Sequence, residues 1–140
     1  MEAYGHVNNV QFLRLLEDAR VIAFSARGSD EGGSVVDTGL LVARSEIEYL
    51  APLVYRPTPV AIDLWVTSIS GASFDMGYEV LDEVAHDGGR PQVYARAETT
   101  LVLFDLTSHR PRRMTDEERK TLHDWQDQPV PWRKRRVRRP

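Results

Sequence analysis

Glu2-Ala3-Tyr4-Gly5-His6-Val7-Asn8-Asn9 runs without interruption into Val10-Gln11-Phe12-Leu13-Arg14-Leu15-Leu16-Glu17-Asp18-Ala19-Arg20. Asn8 or Asn9 can serve as an N-cap, its side chain accepting a bond from an unpaired amide of the first turn. Downstream, Gln11, Arg14, Asp18 and Ser25 recur at helical spacing and mark a polar stripe. Phe12, Leu13, Leu16, Ala19, Ala23 and Phe24 lie mostly away from it, and Leu15 and Ile22 widen the apolar arc. Gly28 stands where a left-handed C-terminal cap belongs. The spacing predicts a helix over 9–27, with an apolar arc too broad for a helix resting on a flat surface.

Beyond a polar, glycine-rich loop (28–38), the hydrophobic period changes from helical to two. Leu41, Ala43, Ser45, Ile47 and Tyr49 alternate with Arg44, Glu46 and Glu48, the pattern of a strand buried on one face. Pro52, Pro57 and Pro59 punctuate the next connection. A second strand is predicted over 60–69, with Ser70-Gly71-Ala72-Ser73 as a hairpin turn. Phe74, Met76, Tyr78 and Val80 alternate with Asp75, Gly77 and Glu79 in a third strand. A turn at 86–91 leads to a fourth over 93–105. Thr115 and Glu118 form a capping box opening a short helix that ends near Trp125. The expected fold class is α+β, one long helix with a meander of four antiparallel strands. A lone four-stranded sheet leaves edges and one face open, so self-association is expected on physical grounds.

The chain has 140 residues, 41% hydrophobic and 28% charged, which fits a single domain over 1–127. Six of the last eight residues are Arg or Lys, and residues 128–140 read as a basic, unstructured tail. Residues 1–132 then hold 12 basic against 21 acidic side chains. An acidic body argues against nucleic acid as a partner. No apolar run approaches membrane-spanning length and no signal pattern opens the chain, so a cytoplasmic protein with no membrane partner is expected. The absence of cysteine excludes disulfides, a thiolate nucleophile and cysteine-based zinc sites.

The opening segment, followed by Phe12 and by Glu17-Asp18-Ala19-Arg20, closely resembles the 4-hydroxybenzoyl-CoA thioesterase-like branch of the hotdog superfamily. The pattern there is Asp-x-Asp-x-x-Gly-His-Val-Asn-Asn, an aromatic, then Glu-x-Ala-Arg. Glu46-Ile47-Glu48-Tyr49-Leu50-Ala51-Pro52-Leu53 resembles the family's second-strand signature, and Tyr94-Ala95-Arg96-Ala97 with Val102-Leu103-Phe104-Asp105 its last strand. The resemblance covers residues 2–115. It implies a hotdog fold, in which an antiparallel sheet wraps a long central helix, and hydrolysis of acyl-CoA without metal or cofactor. A homodimer, or a homotetramer built as a dimer of hotdog dimers, is implied as well.

On that resemblance, the family's catalytic aspartate falls on Glu2, as general base on water or as direct nucleophile. Plant acyl-carrier-protein thioesterases share a related carboxylate with a histidine four residues on, here Glu2 and His6. His6 then either bonds the thioester carbonyl or holds the carboxylate; a turn residue bonding backbone is the plainer reading. Tyr4, Gly5, Val7, Asn8 and Asn9 are the implied substrate-binding residues, with both asparagines equally suited to capping. Gly5 would let the chain approach the ligand closely. Glu17 is expected to pair with Arg20 or Arg14, or else to face the site of a neighbouring subunit. Arg44, Arg56 and Arg90 are positional candidates for the phosphates of coenzyme A. Family members carry a strand before the motif, whereas this chain begins inside it at Met1. A start placed at an internal methionine accounts for that better than loss of the strand. The competing function classes are a non-catalytic hotdog module that binds acyl-CoA or acts as an assembly partner, and a hydratase or dehydratase on the same fold.

Overall fold

Alternating side chains put one face of each strand toward a common helix. The computed structural model describes residues 9–28, 39–53, 60–83, 89 and 91–133. Within them α1 spans Asn9–Gly28, β1 Leu40–Tyr49, β2 Val60–Ile69, β3 Ser73–Asp82, β4 Val93–Asp105, β5 Arg110–Pro111 and α2 Asp116–Asp124. All strands of the main sheet pair antiparallel, and α1 packs on one face of it. This is an open α+β hotdog fold.

The strand order is β1-β4-β3-β2, which corrects the expected four-strand meander. Strands β2, β3 and β4 do follow one another as hairpins, but β1 pairs with β4. Residues 50–59 separate β1 from β2, far more chain than a tight hairpin needs. β4 is the longest strand, and its run from Thr99 to Phe104 favours an interior position paired on both sides. Leu101, for instance, sits between Val42 of β1 and Phe74 of β3.

The inner face carries Phe74, Met76, Tyr78 and Val80 from β3, and Ala95, Ala97, Thr99, Leu101 and Leu103 from β4, all buried. Phe12, Leu16 and Phe24 of α1 meet them, each no more than 2% exposed. Burying side chains of this size contributes about 1.5–3 kcal/mol apiece. The other flank of α1 is open: Val10, Leu13, Val21 and Ile22 are exposed. Among the described residues, the broad apolar arc is thus covered on one side only.

α2 closes one end of the core through Leu122, and Met114 is buried just before it. Its capping box forms as expected: Thr115 Oγ1 accepts from the Glu118 amide at 3.1 Å, and Glu118 Oε1 accepts from the Thr115 amide at 2.9 Å. Arg112 grips the same carboxylate at 2.8 and 2.6 Å.

Residues 128–133, which on sequence begin the tail, run across the outer face of the sheet. The Val66 amide donates to the Trp125 carbonyl and the Asp127 amide to the Val66 carbonyl, both at 2.9 Å, along the free edge of β2. Trp65 Nε1 donates to the Gln128 carbonyl at 2.6 Å, Val130 is 5% exposed, and the Arg133 amide donates to Glu48 Oε1 of β1 at 2.8 Å. Gly77 makes this crossing possible. A Cβ there would lie 2.8 Å from both the Trp65 ring and Val130 Cγ2.

The Arg112 hydrogen bonds hold the Glu118 carboxyl below the usual glutamate range. A carboxyl with a depressed folded pKa stabilises the fold above its unfolded pKa, and that contribution is lost as pH falls through the folded value. Glu118→Gln keeps a capping acceptor but cannot titrate. Chemical denaturation between about pH 6 and about pH 3 is expected to show a shallower loss of stability in Glu118→Gln than in the unaltered chain.

Candidate active site

Of the residues singled out by sequence, Glu2, Tyr4, Gly5, His6, Val7 and Asn8 lie outside the described residues. Asn9 is the first residue of α1. The structure therefore describes the frame to which the opening segment is attached. Phe12, one turn into the helix, meets the Tyr49 ring edge-on with centroids 5.1 Å apart and planes at 73°. Together with the burial of Phe12 and Leu16, this fixes the start of α1 beside the C-terminal end of β1. The positive end of the helix dipole lies at that start.

Farther along α1 a cavity of about 300 Å³ opens between the helix, β1 and β4, lined by Glu17, Arg20, Val21, Phe24 and, from the sheet, Leu40, Val42 and Leu101. The helical residues 17, 20, 21 and 24 share one flank by their spacing. At 1.5 Å per residue, Glu17 lies about 12 Å from the helix start and Phe24 about 22 Å. The wall is apolar apart from Glu17 and Arg20. Such a slot suits an alkyl or aromatic group with a few polar contacts at its mouth.

The expected pairing of Glu17 with Arg20 or Arg14 does not form among the described residues, where Glu17 makes no ion pair. Arg20 turns inward instead. Its Nη1 donates to Tyr78 Oη at 3.1 Å, and its guanidinium carbon lies 6.0 Å from the centre of that ring. Tyr78 Oη also lies 2.7 Å from Thr99 Oγ1. Arginine can only donate, so the tyrosine oxygen accepts from Arg20 and is free to give its proton to Thr99. Burial pushes the Tyr78 phenol up, against the opposing pull of Arg20 and Thr99, which keeps it neutral. The link went unread in the sequence. Its signal was strand parity, because Tyr78 and Thr99 both occupy inward positions of apolar strands.

Arg44, considered for coenzyme A phosphates, faces the opposite side of the sheet. It donates to Glu98 at 2.5 Å, Glu46 at 3.1 Å and Thr100 at 3.1 Å, and its guanidinium is held further above its usual pKa chiefly by the Glu98 bond. Its charge is already matched there. Arg56 and Arg90 lie outside the described residues. A second, open trough of about 690 Å³ lies between β2 and the crossing segment, with Asp63, Glu79 and Asp127 among its lining. Three carboxylates make it a poor receptor for a phosphorylated ligand. Among the described residues, no group of three or more His, Asp or Glu side chains is placed to hold a metal ion.

Comparison with known proteins supplies the class. Residues 1–132 match the family model of the thioesterase-like superfamily, and the chain belongs to that family. Solved structures agree in fold. A predicted thioesterase from Bacillus stearothermophilus superposes with a TM-score of 0.74 at 22% identity, covering 91% of this chain and 89% of that one. The YbaW probable thioesterase of Escherichia coli gives 0.68 at 25%, covering 89% and 90%. A 1,4-dihydroxy-2-naphthoyl-CoA thioesterase from Synechocystis gives 0.70 at 21%, covering 89% and 88%. Among curated proteins nothing matches. The chain is thus a hotdog-fold enzyme of the thioester-hydrolase class, acting on acyl thioesters.

Replacing Tyr78 by Phe removes the shared hydroxyl and leaves Thr99, 1% exposed, without its partner. Tyr78→Phe is expected to destabilise the fold by about 1–3 kcal/mol in urea unfolding, with little change in the m-value.

Proposed function

We propose that this protein hydrolyses acyl-CoA to a carboxylic acid and free coenzyme A thiol, as a member of the 4-hydroxybenzoyl-CoA thioesterase-like branch. The observation that carries the reading is the attachment of the Glu2–Asn9 segment to a helix whose start is packed in place and whose flank lines an apolar slot. Thioester hydrolysis needs a carboxylate near the carbonyl, hydrogen-bond donors for the oxygen that becomes negative, and a dry place for the acyl group.

In this mechanism Tyr4, Gly5, Val7, Asn8 and Asn9 surround the thioester, and amide donors of the first turn of α1 bond its oxygen. The helix dipole favours the charge that develops there. Glu2 takes a proton from water as it adds to the carbonyl carbon, or adds directly to give an anhydride that water then opens. The tetrahedral intermediate collapses with loss of the thiolate, which is protonated as it leaves. His6 bonds the carbonyl oxygen or holds Glu2. No cofactor is required by this chemistry. The acyl group lies in the slot between α1, β1 and β4, and Glu17 stands at its mouth.

The working unit in this proposal is a homodimer, or a homotetramer made of two such dimers. Among the described residues β1 is an edge strand on which Leu41, Val42 and Tyr49 are exposed, and Val10, Leu13 and Val21 are exposed on α1. An open edge flanked by apolar side chains on strand and helix is the surface a second copy would cover. One domain over 1–127 followed by the 128–140 segment is the proposed organisation. Among the described residues no helix is long and apolar enough to cross a membrane. The proposed compartment is the cytoplasm, with no nucleic-acid or membrane partner.

Thiol release from short, long and aromatic acyl-CoAs tests the reaction. Glu2→Gln is expected to lower kcat by about 10²–10⁴-fold with the fold intact. Hydrolysis unaffected by that change removes the role given to Glu2. Binding without hydrolysis of any substrate favours a non-catalytic acyl-CoA-binding module.

The assembly is tested separately. Leu41→Asp places like charges near each other across a paired β1 edge. Sedimentation is expected to show a particle of one 16.0 kDa chain for Leu41→Asp and a multiple of it for the unaltered protein.

A further inference from the structure

We propose that Trp125, at the C-cap of α2, sets the length of acyl group the enzyme accepts by holding Phe24 against the end of the slot; this rests on reading the α1–β1–β4 cavity as the acyl site. Phe24 lies farthest along α1 of the residues lining that cavity and is 2% exposed. Two rings hold it. Phe74 meets it edge-on at 6.0 Å and 80°, and the Trp125 indole stacks on it at 5.0 Å and 14°.

The two supports differ in origin. Phe74 belongs to β3 and pairs with Leu101 of β4 and Ile69 of β2, so the sheet fixes it. Trp125 belongs to neither α1 nor a strand. Its carbonyl accepts from the Val66 amide at 2.9 Å, its amide donates to the Leu122 carbonyl at 3.1 Å, and Gln126 and Asp127 then follow the edge of β2. A residue outside the cavity, anchored by α2 and a strand edge, therefore backs the aromatic wall of the slot. The remaining wall has less freedom: Leu101 is 1% exposed in the middle of β4, with a paired strand on each side.

An acyl chain entering an apolar slot gains affinity about fourfold with each methylene buried. The gain stops where the chain meets Phe24, since further methylenes stay in water or press on a ring that cannot recede. Removing the indole gives Phe24 room to swing back, and the slot lengthens. Trp125 is a positioning residue in this scheme; it touches the wall and leaves the reacting atoms alone.

The test uses S-alkyl coenzyme A thioethers from ethyl to stearyl, which bind but cannot be hydrolysed. Affinities are measured by calorimetry on the full chain and on Trp125→Ala, Trp125→Leu and Trp125→Phe, with circular dichroism to verify folding. Affinity in the unaltered chain should rise with alkyl length to a break point. The break should move outward by about three methylenes in Trp125→Ala, because an indole fills several times the ~30 Å³ of a water-sized unit. Trp125→Leu should give an intermediate break and carries the test if the alanine chain does not fold. Trp125→Phe, which keeps a stacking ring, should restore the original one. In parallel hydrolysis assays, KM should follow chain length as affinity does, while kcat on the shortest substrate changes by less than about twofold.

A break at the same length in every variant overturns the proposal, as does failure of the unaltered chain to bind any thioether. Hydrolysis of acyl-CoA with an unmoved break removes only the role of Trp125. Absence of hydrolysis on every acyl-CoA, together with no binding, removes the thioesterase reading along with it.

Discussion

The burial of Phe12, Leu16 and Phe24 against the inner face of the sheet is the contact on which the rest depends. A twisted antiparallel sheet with one apolar face is not stable by itself in water, and a helix of this length gains most of its stability from packing. Each element supplies what the other lacks. The same contact orients α1, and so determines where the segment carrying Glu2 and His6 joins the fold and which helical flank faces β1. Phe12 settles the start of the helix through Tyr49, Phe24 settles its far end through Phe74 and Trp125, and the slot lies between these anchors.

The sheet separates two kinds of chemistry by strand parity. Inward positions carry the apolar core and the polar chain Arg20–Tyr78–Thr99, in which each hydroxyl has a partner. Outward positions also carry ion pairs and hydrogen bonds: Arg44 with Glu98 and Glu46, Arg96 with Glu79 at 2.9 Å, Thr100 with Asp75 at 2.6 Å. Pairs this open to solvent contribute little stability individually. The carboxylates of that outward face make it a poor site for a polyphosphate.

Local pattern made much of this legible in advance. The bounds of β2 and β4 and the capping box of α2 follow from alternation and cap chemistry, which act over a few residues. The partner of β1 was not legible, because antiparallel alternation is the same whichever strand lies alongside. Arg20 was misread for a related reason. A helical i,i+3 neighbour is visible in sequence, whereas Tyr78, 58 residues away, becomes a competitor only after the helix docks. In the candidate site, the opening motif was read from its residues, but the slot was not. Its walls come from α1, β1 and β4, and no single stretch of sequence contains them.

The C-terminal segment shows how composition can mislead about order. Proline-rich and ending in a basic run, residues 128–140 have the character of a solvated tail. Yet Val130 is buried as far as a core residue, because Gly77 leaves a socket on the outer face beside the Trp65 ring. Trp125 faces the core and stacks on Phe24; a few residues later the chain is on the opposite face of the sheet. The segment thus passes around the β2 edge and grips the sheet from both sides. An edge that is held in this way is a firm support for the indole behind Phe24, and it ties the wall of the slot to the part of the chain that looked least structured.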